Sequence, residues 1–155
     1  MSDAVNMVEF VKDDLSKRPR GRAAVVLTRD YAGQKAWATE LATQTDAAHI
    51  HLLDRFAADP TLAANISGFL VDPFFDYIAK QVDTKVLIVS GMEFLKATWS
   101  GSPSAMGQFA RRVQTWQKSP CLLFVLQHDT ALTAHDFGSR YGYRFIVDQK
   151  DTFQL

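Results

Sequence analysis

The sequence predicts an α/β fold: one three-layer domain with a mainly parallel five-stranded sheet and helices on both faces. Three observations lead there. Five short apolar runs recur along the chain with helix-length segments between them, the pattern of βαβ crossovers. The strongest runs, Ala23 to Thr28, Val86 to Val89 and Cys121 to Leu126, are continuous rather than alternating, as strands buried on both faces are. Finally, 155 residues with 47% hydrophobic and 22% charged side chains suit one globular core.

In chain order, residues 4–16 predict a short helix, with Val8, Val11 and Leu15 on one face. Lys17-Arg18-Pro19-Arg20-Gly21-Arg22 follows, and its charge, Pro and Gly predict a basic linker. Residues 1–22 are therefore expected as an N-terminal helix and linker, and 23–155 as the domain. The first strand is Ala23 to Thr28, and a helix over about 33–45 carries Trp37 and Leu41 four apart. His49 to Leu53 predicts the second strand, Lys85 to Val89 the third, Cys121 to Leu126 the fourth and Tyr143 to Val147 the fifth. Asp59-Pro60, Asp72-Pro73 and Ser102-Pro103 each set a capping side chain before a proline, which predicts three helix starts. Phe74, Tyr77, Ile78 and Val82 then form one apolar stripe, and Met106, Phe109, Val113 and Trp116 another.

The totals narrow the function. Formal net charge is zero, so no global field draws the chain to nucleic acid or an anionic membrane. The single cysteine, Cys121, forms no intrachain disulfide and reads as a buried thiol. Met1-Ser2-Asp3-Ala4 lacks the basic and apolar regions of a signal peptide, and no apolar run reaches the roughly 18–20 residues of a membrane span. A cytoplasmic location is expected.

In open parallel sheets, ligands sit at the carboxyl ends of the strands. After the first strand the chain reads Thr28-Arg29-Asp30-Tyr31-Ala32-Gly33-Gln34-Lys35. Its place between strand and helix resembles the phosphate-binding loop of P-loop NTPases, G-x-x-x-x-G-K-[ST]. In that loop, backbone N–H groups wrap the phosphates, a lysine reaches the outer ones and a hydroxyl binds Mg²⁺. Gly33 matches the second glycine. Thr28 stands at the first, Gln34 at the lysine and Lys35 at the hydroxyl. A one-residue shift would bring Lys35 to the phosphates but would still lose the hydroxyl. The third strand ends Val89-Ser90-Gly91-Met92-Glu93. That is the place of the Walker B aspartate, and Ser90 replaces it, while Glu93 stands three residues later as the nearest carboxylate. Gln127, ending the fourth strand, occupies the sensor position of RecA-like and AAA+ ATPases. Arg140 and Arg144 lie where an AAA+ arginine reaches a neighbouring subunit's nucleotide.

The order of elements over residues 22–148 thus resembles the RecA-like and AAA+ branch of P-loop proteins. The small size and the run Val89 to Leu95 are similar to BrxF, the small P-loop protein of BREX phage-defence systems, although that family carries an aspartate at Ser90 and an intact phosphate loop. The resemblance implies ATP and Mg²⁺ as cofactors, Thr28, Gly33, Gln34, Lys35, Ser90 and Gln127 around the nucleotide, and Glu93 and Arg140 as catalytic groups, Arg140 acting across a homo-oligomer interface. Proteins of this layout without a phosphate loop, such as SulA-type division inhibitors, act by binding a partner.

Two other sites compete. His49 and His51 share one strand face, with Asp54 just beyond, and His128-Asp129 and His135-Asp136 follow the fourth strand. Were the second and fourth strands neighbours, these groups could converge on Zn²⁺, Mn²⁺ or Fe²⁺; a RecA-like order puts another strand between them. A serine hydrolase fits less well, because Ser90-Gly91 lacks the preceding glycine of a nucleophile elbow. Lys17 to Arg22 with Arg111-Arg112 offers at most a weak DNA-contacting patch. Phe75 and Trp99 fall off the regular stripes, which marks them as candidates for a partner-binding patch. The expectation is an accessory or assembly subunit with other protein subunits as partners, in a phage-defence or DNA-processing complex, with little or no ATP hydrolysis. An active ATPase and a His/Asp metalloenzyme stand as alternatives.

Overall fold

The computed structural model describes residues 4–102, 104–138 and 142–155. Its centre is a five-stranded sheet of β1 (Ala23–Thr28), β2 (Ala48–His51), β3 (Val86–Ser90), β4 (Cys121–Gln127) and β5 (Ile146–Asp148), ordered β2-β3-β4-β1-β5. Every pairing is parallel. Parallel strands need crossovers, and helices supply them.

The side chains of the central strands alternate between two cores, because successive Cβ atoms point to opposite faces. Ala23, Val25, Leu27, Leu87, Val89, Leu122, Phe124 and Leu126 enter one core. Helices α3 (Leu52–Ala58), α5 (Val71–Ala79), α6 (Glu93–Trp99), α7 (Ala105–Thr115) and α8 (Thr130–Ala134) cover it with Phe56, Phe74, Phe75, Trp99, Phe109 and Leu132. Ala24, Val26, Val86, Ile88, Leu123 and Val125 face the other core, which α2 (Gln34–Thr45) covers with Ala38 and Leu41. Three layers result. The continuous apolar runs are explained by two covered faces.

The N-terminal segment belongs to the second core. It opens as a short helix, α1 (Met7–Glu9), loosens into a π-type turn over Phe10–Asp14 and tightens to a 3₁₀ turn over Leu15–Lys17. Met7, Phe10, Val11 and Leu15 are buried against the sheet. Cys121 is buried there too, its Sγ 3.4 Å from the Leu15 carbonyl, and burial raises the thiol pKa.

Several expectations need correction. The segment 17–22 is not a solvated linker throughout. Arg18 is only 2% exposed, bonds the carbonyls of Gly21 (3.1 Å) and Arg144 (2.9 Å), and lies 4.5 Å above the Tyr143 ring. A buried guanidinium needs such partners, and Asp14 at 3.0 Å balances its charge. Phe75 and Trp99 do not form a surface patch, since both are buried in the aromatic centre of the first core. Asp59 caps the short helix α4 (Pro60–Ala64) as expected, accepting from the Thr61 and Leu62 amides. Asp72 is not a cap: α5 starts at Val71, and Asp72 instead lies 3.2 Å from Arg112. Pro103 lies outside the described residues, and α7 begins at Ala105. The second strand ends at His51 because Leu52 turns directly into α3.

Candidate functional site

The carboxyl ends of β1, β3 and β4 meet at one polar cluster, and Gln34 is its centre. Gly33, with φ of 81°, turns the chain from the loop into α2; a left-handed residue here favours glycine. The Gln34 backbone N–H bonds the Tyr31 carbonyl at 3.1 Å, so it closes a turn instead of joining a phosphate cradle. The Gln34 side chain, 1% exposed, points inward. Its Oε1 accepts from the Gly91 N–H at 2.8 Å, and its Nε2 donates to Glu93 Oε2 at 3.3 Å. That carboxylate oxygen also accepts from the Gln127 N–H at 2.8 Å. Glu93 begins α6 and its side chain enters the cleft, while its Oε1 is buried with no hydrogen-bond partner among the described residues. Thr28 is buried and spends its hydroxyl on the Leu126 carbonyl at 3.2 Å. The Gln34 amide therefore joins the ends of β3 and β4 through Gly91 and Glu93.

Lys35 takes a different direction. Its ammonium pairs with the Asp54 carboxylate, and both side chains are more than half exposed. The contact lowers the Asp54 pKa, chiefly through the hydrogen bond. Lys35 lines a cleft of about 380 Å³ with His49, His51, Asp54 and Arg55.

Beside that cleft lies a chain of hydrogen bonds that the sequence did not suggest as a unit. β2 and β3 pair with His51 opposite Ser90. Ser90 Oγ, fully buried, is 2.7 Å from His49 Nε2 and 2.8 Å from His51 Nδ1. Tyr31 Oη is 3.3 Å from His51 Nε2, and Thr39 Oγ1 is 3.2 Å from His49 Nδ1. The Thr39 hydroxyl donates to the Lys35 carbonyl at 2.8 Å, so its oxygen accepts from His49 Nδ1–H. His49 Nε2 is then the acceptor of the Ser90 hydroxyl proton, Ser90 Oγ accepts from His51 Nδ1–H, and Tyr31 donates to His51 Nε2. Each proton has one place. The chain requires both imidazoles to be neutral. Burial is the main cause lowering His49 to about 4, with His51 and Lys35 adding to it, and burial also lowers His51. Burial raises Tyr31, with Glu93 and Asp54 contributing. Gly91 completes the packing: φ is +69°, and a Cβ there would lie 2.5 Å from the His51 ring.

The other predicted residues fall elsewhere. β3 separates β2 from β4, so His49 and His51 do not meet His128. His128 Nε2 pairs with Asp148 Oδ2 at 3.1 Å, and His135 bonds Gln114 Oε1 at 3.1 Å. Among the described residues no group of three metal-ligating side chains gathers, so the converging metal site is not formed by them. Gln127 reaches Glu93 through its backbone amide instead of its side chain. Arg140 lies outside the described residues. Arg112 lies within ion-pair range of Asp72 and Asp76, at 3.2 and 3.9 Å, which ties up part of the proposed DNA patch. No described helix is long and apolar enough to cross a membrane.

The chain matches no protein-family model and no curated protein sequence.

The pairing of Ser90 with two histidines was legible in one respect only: His49 and His51 share a strand face. Their meeting point depends on the β2–β3 register, which no local pattern encodes. The Gln34–Glu93 bond spans 59 residues and had no local signal at all.

Proposed function

We propose that this chain is a P-loop-type fold whose nucleotide site has become an internal polar lock, and that it serves as an accessory or assembly subunit binding protein partners, in a phage-defence or DNA-processing complex. One observation carries the reading. The Gln34 side chain stands at the phosphate-lysine position, is buried, and is held at both ends by Gly91 and Glu93. An amide there brings no positive charge to phosphates, and its groups are already satisfied. Two further facts support it. The order β5-β1-β4-β3-β2 sets a strand between β2 and β4, as a RecA-like arrangement requires. Ser90, at the metal-carboxylate position, donates its hydroxyl to His49 and offers no carboxylate. Tyr31 and Leu53, exposed at the strand ends, supply apolar surface for a partner.

Amide NMR tests the lock. Millimolar ATP with Mg²⁺ should leave the Gly91 N–H and the Gln34 side-chain amide unmoved. Saturable displacement of both would overturn the reading. The assembly role predicts a defined heteromeric product on crosslinking in the native cell; only monomer would count against it.

A weak ATPase is the second reading. It is favoured by the Glu93 carboxylate, which enters the cleft with Oε1 unpartnered among the described residues.

A further inference from the structure

At the far side of the same sheet edge, three basic side chains stand in a row. β1 pairs with β4 at Thr28 and Gln127, and with β5 at Leu27 and Asp148. The β1–β4 ladder continues one step, with the His128 N–H on the Thr28 carbonyl at 3.0 Å. Arg29, one residue past Thr28, therefore follows the ladder next to His128, while β5 ends at Asp148 and the 3₁₀ turn Gln149–Asp151 carries Lys150 to the same cleft. All three line one cleft of about 490 Å³ with Asp148 and Gln149. All three are exposed.

The charges there are unbalanced. Among the described residues Asp148 is the only acid lining the cleft, and both its oxygens are engaged: Oδ2 with His128 Nε2 at 3.1 Å, Oδ1 with the Lys150 N–H at 3.0 Å. Among the described residues the Arg29 guanidinium and the Lys150 ammonium have no ion-pair or hydrogen-bond partner. Like charges that line one cleft repel. Three less exposed cations of the chain are paired, Arg18 with Asp14, Lys96 with Asp129 and Arg112 with Asp72. Arg29 and Lys150 stand together at the sheet edge where parallel α/β folds place ligands.

We infer that Arg29, His128 and Lys150 form a binding site for a phosphomonoester dianion. The guanidinium offers paired N–H donors to two phosphate oxygens, the ammonium a point charge, and Asp148 holds the His128 ring in place at the cleft wall. The site is separate from the Gln34 lock, needs no Mg²⁺ and entails no bond cleavage. It stands whether or not the lock reading does.

Calorimetric titration of the full chain with inorganic phosphate and with adenosine monophosphate, at constant ionic strength, tests it. Saturable binding of both is expected, without Mg²⁺. Equal affinities would assign the site to the phosphate group alone, and tighter monophosphate binding to a nucleotide-borne phosphate. The Arg29→Gln/Lys150→Gln double variant should bind at least about ten-fold more weakly. In chloride buffer it should melt no lower than wild type, because it removes two mutually repelling charges. No saturable binding by wild type, a heat that follows ionic strength alone, or undiminished affinity in the double variant would each overturn the site.

Discussion

Replacing Gln34 with alanine removes both ends of the polar lock. The Gly91 N–H, buried against the Gln34 carbonyl oxygen at 2.8 Å, loses its acceptor, and Glu93 Oε2 keeps only the Gln127 N–H. An unsatisfied buried donor costs about 1–3 kcal/mol. Loss of a side chain that is 1% exposed leaves space at the joint of α2 and β3, adding roughly 1 kcal/mol. The sum is about 2–4 kcal/mol. In a domain of 155 residues each kcal/mol moves the melting temperature by roughly 2–4 °C. The assay is urea unfolding with thermal melts, alongside hydrogen exchange at Gly91. The Gly91 amide should lose protection selectively, because its acceptor lies on another element. A variant within about 0.5 kcal/mol of wild type, with Gly91 still protected, would refute the assignment of Gln34 as a structural lock.

The histidine chain makes stability depend on pH. His49 titrates at about 4 in the folded chain against 6.5 as its ordinary value, so the unfolded chain takes the proton first. Stability is complete above pH 6.5, falls as pH drops toward 4 and levels below it. The half-exposed ring sets the loss at about 1–2 kcal/mol, well under the ~3 kcal/mol that the full pKa gap would give. Urea midpoints between pH 7.5 and 4.5 measure it, and His49→Gln should flatten that part of the curve; an unchanged slope would contradict the chain. Gly91→Ala puts a methyl group on a left-handed residue and into the His51 ring, and should cost about 2–4 kcal/mol by unfolding. A cost near that of a surface Gly→Ala change would place the His51 ring elsewhere.

Much of the architecture was legible in the residues. The unbroken apolar runs Ala23 to Thr28, Val86 to Val89 and Cys121 to Leu126 announced strands covered on both faces, and the two cores account for every other side chain along them. Boundaries were less legible. His49 to Leu53 looked like a strand of five, but Leu52 is wanted by the first core as the start of a helix. Phe75 and Trp99 seemed misplaced on helical stripes because stripe analysis assumes one covering layer; both sit where α5, α6 and α7 enclose Phe124, so a wider arc of each helix is buried. Arg18 looked like a linker charge, and only the return of Arg144 and Tyr143 to its side explains its burial. At the strand ends, Gln34, Ser90 and Glu93 could be singled out as departures from a phosphate-binding pattern. What these residues do instead, amide to carboxylate and serine to two imidazoles, depends on contacts 39 to 59 residues apart.

The central claim is that the strand-end cleft is closed by its own amide and does no phosphoryl chemistry. Steady-state ATP hydrolysis by the full chain, with Mg²⁺ and with Glu93→Gln alongside, tests it most directly. The account predicts no Mg²⁺-dependent turnover above the uncatalysed background and no difference between the two proteins. Mg²⁺-dependent turnover that disappears in Glu93→Gln would contradict it and make the chain an ATPase built on a different loop.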